Sequence, residues 1–96
     1  VKVTLHPEAE AEFLESVEFY ANESTRAAER FIAEFEAAAN EIRIHPTRYR
    51  KGRRITRIKE FRSSPYSLVY HVLEDRIKID AVAHDKRKPG YWRKRI

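Results

Sequence analysis

Proton-transfer groups and cations are concentrated in one stretch of this chain. The segment His84-Asp85-Lys86-Arg87-Lys88-Pro89-Gly90-Tyr91-Trp92-Arg93-Lys94-Arg95 holds six cations, a histidine and two aromatic rings in a dozen residues. Metal-free RNA cleavage needs a base for the 2′-hydroxyl, an acid for the departing 5′-oxygen and cations around the phosphorus. In that scheme His84 transfers a proton, Tyr91 is the acid or a stacking platform, and Arg87 with Arg54 holds the phosphate. Arg53, Arg57, Lys78, Lys86, Lys88, Arg93, Lys94 and Arg95 add charge for a nucleic-acid backbone, from which such residues release counterions. Trp92 could stack on bases or clasp the tail back onto the domain, and the clasp is the preferred reading. A block of like charge is more often solvated surface than a site. Here the interleaved aromatics and the core strand just before them favour an anion-binding surface, without deciding between RNA and an acidic protein.

Other chemistries fare worse. With no cysteine there is no disulfide, thiolate catalysis or Cys-ligated zinc. Gly52 and Gly90 alone make no phosphate-binding loop, and the four histidines are too dispersed for a metal set. Asp80 and Asp85 complete no ligand group with them, so neither metal nor cofactor is expected. The helical glutamates read as solvated surface rather than a paired-carboxylate hydrolase. No apolar run approaches the ~18 residues of a membrane span and no signal-peptide pattern opens the sequence, so a cytoplasmic protein is expected.

The elements that must position these residues differ sharply in charge. Up to Ile42 there are ten acidic and three basic residues; from Arg43 onward there are five acidic and seventeen basic. An acidic helical scaffold followed by a basic sheet and tail should attract an anionic partner. The 96 residues make one domain, spanning positions 1–96, with a small core. Val1–Leu5 reads as a short strand, and His6-Pro7-Glu8 as a helix start with proline at the first position. Phe13, Val17, Tyr20 and Ala21 recur at helical spacing, and Ser24 is a plausible N-cap for a second helix. In that helix Ala28, Phe31, Ile32, Phe35, Ala38, Ala39 and Ile42 form an apolar stripe that Pro46 ends.

Beyond Pro46 the period changes. Arg53–Lys59, Ser67–Leu73 and Arg76–His84 read as strands. A two-residue Glu74-Asp75 turn pairs Val72 with Ile77, Tyr70 with Ile79 and Leu68 with Ala81 on one apolar face. His71/Lys78, Val69/Asp80 and Ser67/Val82 fall on the other. The predicted fold is α+β, β-α-α-β-β-β, with a helical hairpin packed on one face of a small antiparallel sheet. The opposite face is expected to be polar, basic and open.

Ordered along the chain, several runs resemble the RelE/ParE toxin superfamily. They are Leu5-His6-Pro7-Glu8-Ala9, Ile44-His45-Pro46 with Tyr49, and Arg53-Arg54 followed by Ser64-Pro65-Tyr66-Ser67-Leu68-Val69-Tyr70. Ile77-Lys78-Ile79-Asp80-Ala81-Val82-Ala83-His84 and Arg87-Lys88-Pro89-Gly90-Tyr91-Trp92 complete the set. Ser64 departs from it, standing where these proteins commonly place phenylalanine, and Phe61 can substitute across an enlarged turn. The resemblance implies the toxin of a type II toxin–antitoxin pair, of the plasmid-stabilising kind, neutralised by a cognate acidic antitoxin. RelE-like toxins cut mRNA on the ribosome without a metal, whereas ParE-like toxins inhibit DNA gyrase and are not known as nucleases. Arg54, His84, Arg87 and Tyr91 match the residue types of the RNase branch. With His84 and Tyr91 present, cleavage of ribosome-bound mRNA is the first expectation and gyrase inhibition the alternative. A non-catalytic RNA-binding module stands outside the family.

Overall fold

The computed structural model describes all 96 residues. Along the chain lie β1 (Lys2–Leu5), α1 (Pro7–Glu23), α2 (Thr25–Ile44), β2 (Arg50–Lys51), β3 (Arg57–Glu60), β4 (Tyr66–Val72), β5 (Arg76–His84) and a closing 3-10 turn, Arg93–Arg95. Local chemistry sets the helix ends. His6 accepts the Glu8 amide through Nδ1 at 3.0 Å, and Pro7 follows at the first helical position. Ser24 joins the helices by itself. Its amide donates to the Tyr20 carbonyl, closing α1, and its hydroxyl accepts the Ala27 amide at 3.0 Å, opening α2. One extended residue at that point turns the chain into the antiparallel hairpin.

The five strands lie in the order β1-β5-β4-β3-β2. Three of the pairings are antiparallel, while β1 runs parallel to β5. The turn at Glu74-Asp75 is as expected, with the Leu73 amide on the Arg76 carbonyl at 2.8 Å. Val72/Ile77, His71/Lys78 and Tyr70/Ile79 pair as the alternation requires. A bulge then breaks the register. Val69 pairs with Ala81, Leu68 with Val82 and Ser67 with Ala83, one residue away from the expected partners. The extra residue is Asp80, drawn onto His71 at 2.7 Å between Nδ1 and Oδ2. The slip moves Val82 into the main core beside Ile77 and Ile79, and sends Ala81 and Ala83 to the opposite face.

That opposite face overturns the expectation of an open basic surface. Val69, Ala81 and Ala83 are covered by Trp92, with Ile58, Tyr91 and Ile96 packed around them. Trp92 is only 6% exposed, so it is a clasp. The main core lies on the helix side, where Phe31 packs on Tyr66, Tyr20 and Phe61 at centroid distances of 5.0, 5.2 and 5.6 Å. Phe61 lies in that core too, 6.2 Å from the Tyr66 ring across the Arg62–Pro65 turn.

Arg53 and Arg54 are not in a strand. They lie in the β2–β3 turn, where Arg54 takes φ 58° and no other non-glycine residue has positive φ. Positive φ at the first central residue and not at the second defines a II′-like turn, which favours glycine there. Arginine at such a position costs about 1 kcal/mol. The basic composition of 53–59 resembles an edge strand, but the chain reverses inside it, folding β3 back antiparallel onto β2.

Candidate functional site: a cationic cleft beside the C-terminal clasp

The tail is held by Glu12, which projects from α1. Its Oε1 accepts the Val82 amide at 3.0 Å and Arg95 Nη1 at 2.9 Å. Its Oε2 accepts the Tyr91 hydroxyl at 2.9 Å and Arg95 Nη2 at 3.0 Å. Arg95 also donates to the Asp80 carbonyl at 3.1 Å, and its own carbonyl accepts Lys78 Nζ at 3.1 Å. The Tyr91 ring carries the Arg87 guanidinium at 3.9 Å and that of Arg95 at 5.1 Å. Burial, and then the Glu12 carboxylate, push the Tyr91 hydroxyl far above the usual phenol range. For Arg95 burial opposes the charge, but the Glu12 hydrogen bond and field outweigh it and raise its pKa.

His84 ends β5, half-buried, with its ring edge-on to Tyr66 at a centroid distance of 5.0 Å. Its Nδ1 accepts the Lys86 amide at 3.0 Å. A neutral imidazole with that lone pair occupied carries its hydrogen on Nε2, and so has no free lone pair to act as a base.

Beside the clasp, a cleft of about 220 Å³ opens between the sheet and the tail. Ile58, Val69 and Trp92 form its apolar wall, and Arg50, Arg87, His84, Ser67 and the Asp85 carboxylate its polar side. Trp92 Nε1 is buried without a hydrogen-bond partner. The cleft thus brings two arginines, a histidine and one carboxylate together over an apolar floor, which suits a polar side chain from a partner.

Of the catalytic and nucleic-acid-binding candidates read from the sequence, only His84 and Arg87 line this cleft. Tyr91 and Arg95 are engaged by Glu12. Lys78 is engaged by the tail, and Arg57 donates to the Tyr49 carbonyl at 2.9 Å. Arg53 lies against Gly90, where an added Cβ would stand 2.9 Å from Arg53 Cδ. Arg54 sits at the hairpin tip, and Lys86, Lys88, Arg93 and Lys94 are exposed. Sequence reasoning missed Glu12 and Arg50. Arg50 belongs to a two-residue strand too short for any period, and its one ion pair, to Glu60 at 3.2 Å, is exposed. The buried His71–Asp80 pair does not line the cleft, and Asp80 Oδ1 has no partner. Burial raises the Asp80 pKa, with His71 opposing.

Two helices packed on one face of a five-stranded sheet, in the order β-α-α-β-β-β-β with the short β2 added, are the architecture of the RelE/ParE class. The family described as ParE toxin of type II toxin-antitoxin system, parDE, matches residues 3–89, and the chain belongs to that family. It is the toxin of a type II toxin–antitoxin module, whose partner is a cognate antitoxin. No curated protein is significantly similar to it. The family match ends before Tyr91, Trp92 and Arg95, so the clasp lies beyond it. No helix is long and apolar enough to cross a membrane.

Proposed function

We propose that this toxin arrests growth by binding and inhibiting DNA gyrase, without chemistry on nucleic acid. This reverses the order expected from residue types, where His84 and Tyr91 put mRNA cleavage first. The observation that carries the reading is the engagement of both proton-transfer candidates. Tyr91 donates to Glu12 with its pKa driven up, and His84 Nδ1 is occupied by a backbone amide. An acid that holds its proton so tightly, beside a ring presenting N–H, is poorly matched to general acid–base catalysis near neutrality. The family match to ParE, whose resemblance implies gyrase as target, supports the same conclusion. The antitoxin is proposed to supply an acidic, amphipathic segment that masks the basic cleft as it folds.

The test sets two assays side by side with the full chain. Purified toxin should inhibit gyrase supercoiling and leave mRNA on programmed ribosomes uncut. Codon-positioned mRNA ends on programmed ribosomes, abolished by His84→Ala, would sink this reading and restore cleavage.

A further inference from the structure

The β2–β3 hairpin carries a feature that neither clasp nor cleft uses. No acidic residue occurs between Glu41 and Glu60, and seven cations lie between Arg48 and Lys59. At the tip, Arg54 holds φ 58° and Ile55 is 61% exposed. The tip is rigidly made. Buried Thr56 donates its amide (3.1 Å) and its hydroxyl (2.6 Å) to the Arg53 carbonyl, and the Gly52 amide donates to the Thr56 carbonyl at 2.8 Å. Gly52 leaves no space for a side chain, since a Cβ there would stand 2.7 Å from Thr56 Oγ1. Arg53 is laid across Gly90, which ties the turn to the tail.

A solvated turn gains nothing from this arrangement. Glycine would relax the backbone at position 54, and a polar residue would suit position 55. Strain retained where the surroundings hold it in place points to a function for the side chains presented. We propose that the tip is the finger with which the toxin engages its protein target. Ile55 enters an apolar pocket, and Arg53 and Arg54 meet an acidic rim around it. An exposed aliphatic anchor flanked by arginines on a preorganised turn loses little freedom on binding and has the composition of an interface centre. A phosphate backbone would engage the arginines and leave Ile55 unused, which favours a protein surface. The inference rests on the gyrase reading and adds to it the surface that makes contact.

The test uses Ile55→Ser and Arg54→Gly, alone and combined, in the full chain. Ile55 is exposed and glycine fits the turn, so the thermal midpoint should not fall with either change. Each variant should need roughly thirtyfold more toxin for half-inhibition of supercoiling, the loss expected at the threshold of a truncated hot spot. Variants as potent as the parent overturn the finger while the gyrase reading stands. A parent chain that does not inhibit gyrase overturns both. Lost inhibition matched by an equal loss of affinity for a linear DNA duplex, read by fluorescence anisotropy, assigns the tip to nucleic acid and also overturns the proposal.

Discussion

Glu12 determines what the terminal residues can do. It lies 79 positions before Tyr91 and 83 before Arg95, and its two oxygens accept four hydrogen bonds. Replacing it with alanine leaves the Arg95 charge, only 10% exposed in its side chain, with only the longer and exposed Glu8 contact at 3.7 Å. Glu12→Ala should therefore cost about 2–4 kcal/mol, somewhat less than a fully buried pair would. Trp92 is the chain's one tryptophan, so its emission should shift to the red as the tail loosens. Urea unfolding followed by that emission checks both effects. Trp92→Ala should cost about 3 kcal/mol by emptying the centre of the second cluster, read by circular dichroism. A segment of alternating cations and aromatics was legible as unusual. That its tyrosine and last arginine serve a distant carboxylate was not, because no local period connects α1 to the tail.

Among the elements, two carboxylates make opposite demands on pH. Glu34 of α2 holds the β3–β4 loop, its Oε1 accepting the Ser63 amide (3.2 Å), the Ser64 amide (3.0 Å) and the Ser64 hydroxyl (2.9 Å). Burial alone would raise its pKa, but the serine hydrogen bonds outweigh it and the net shift is downward. A lowered folded pKa gives stability that is present above the ordinary carboxylate value and lost as pH falls through the folded one. Glu34→Gln should flatten the acid side of a thermal-midpoint profile between about pH 5 and 3. Asp80 has the reverse sign. Its pKa is raised by burial, so its charge costs stability at neutral pH, and the cost fades as pH falls through the raised value. Asp80→Asn should raise stability at neutral pH and leave the acid end unchanged, measured by the same melts. The bulge that places Asp80 beside His71 escaped the strand alternation, since a strict two-residue period has no place for an extra residue.

For the whole molecule the division of charge is the dominant fact. The residues up to Ile42 carry ten acids against three bases, and the remainder carries the positive excess. Intramolecular contacts consume part of that excess through Arg57, Lys78 and Arg95, but Arg50 and Arg87 remain at the cleft. If the proposed acidic antitoxin segment masks them, its affinity should fall by roughly an order of magnitude between ~0.1 M and ~0.5 M salt. Titration calorimetry across that range checks this, and an affinity indifferent to salt would count against charge masking.

The helices, their caps and the tight β4–β5 turn follow from residues within a few positions of one another. Ser24 between two apolar stripes and Glu74-Asp75 between two strands were therefore readable directly. The ordered runs of residues likewise placed the chain in its superfamily, as the family match bears out. Closure of the sheet's second face by Trp92, the Asp80 bulge and the reversal at Arg54 emerged only on folding. Each depends on contacts between segments distant in the chain, or on a backbone state that several such contacts impose. Residue types could nominate His84, Tyr91 and the cations for chemistry; only packing decided which atoms remained free to perform it.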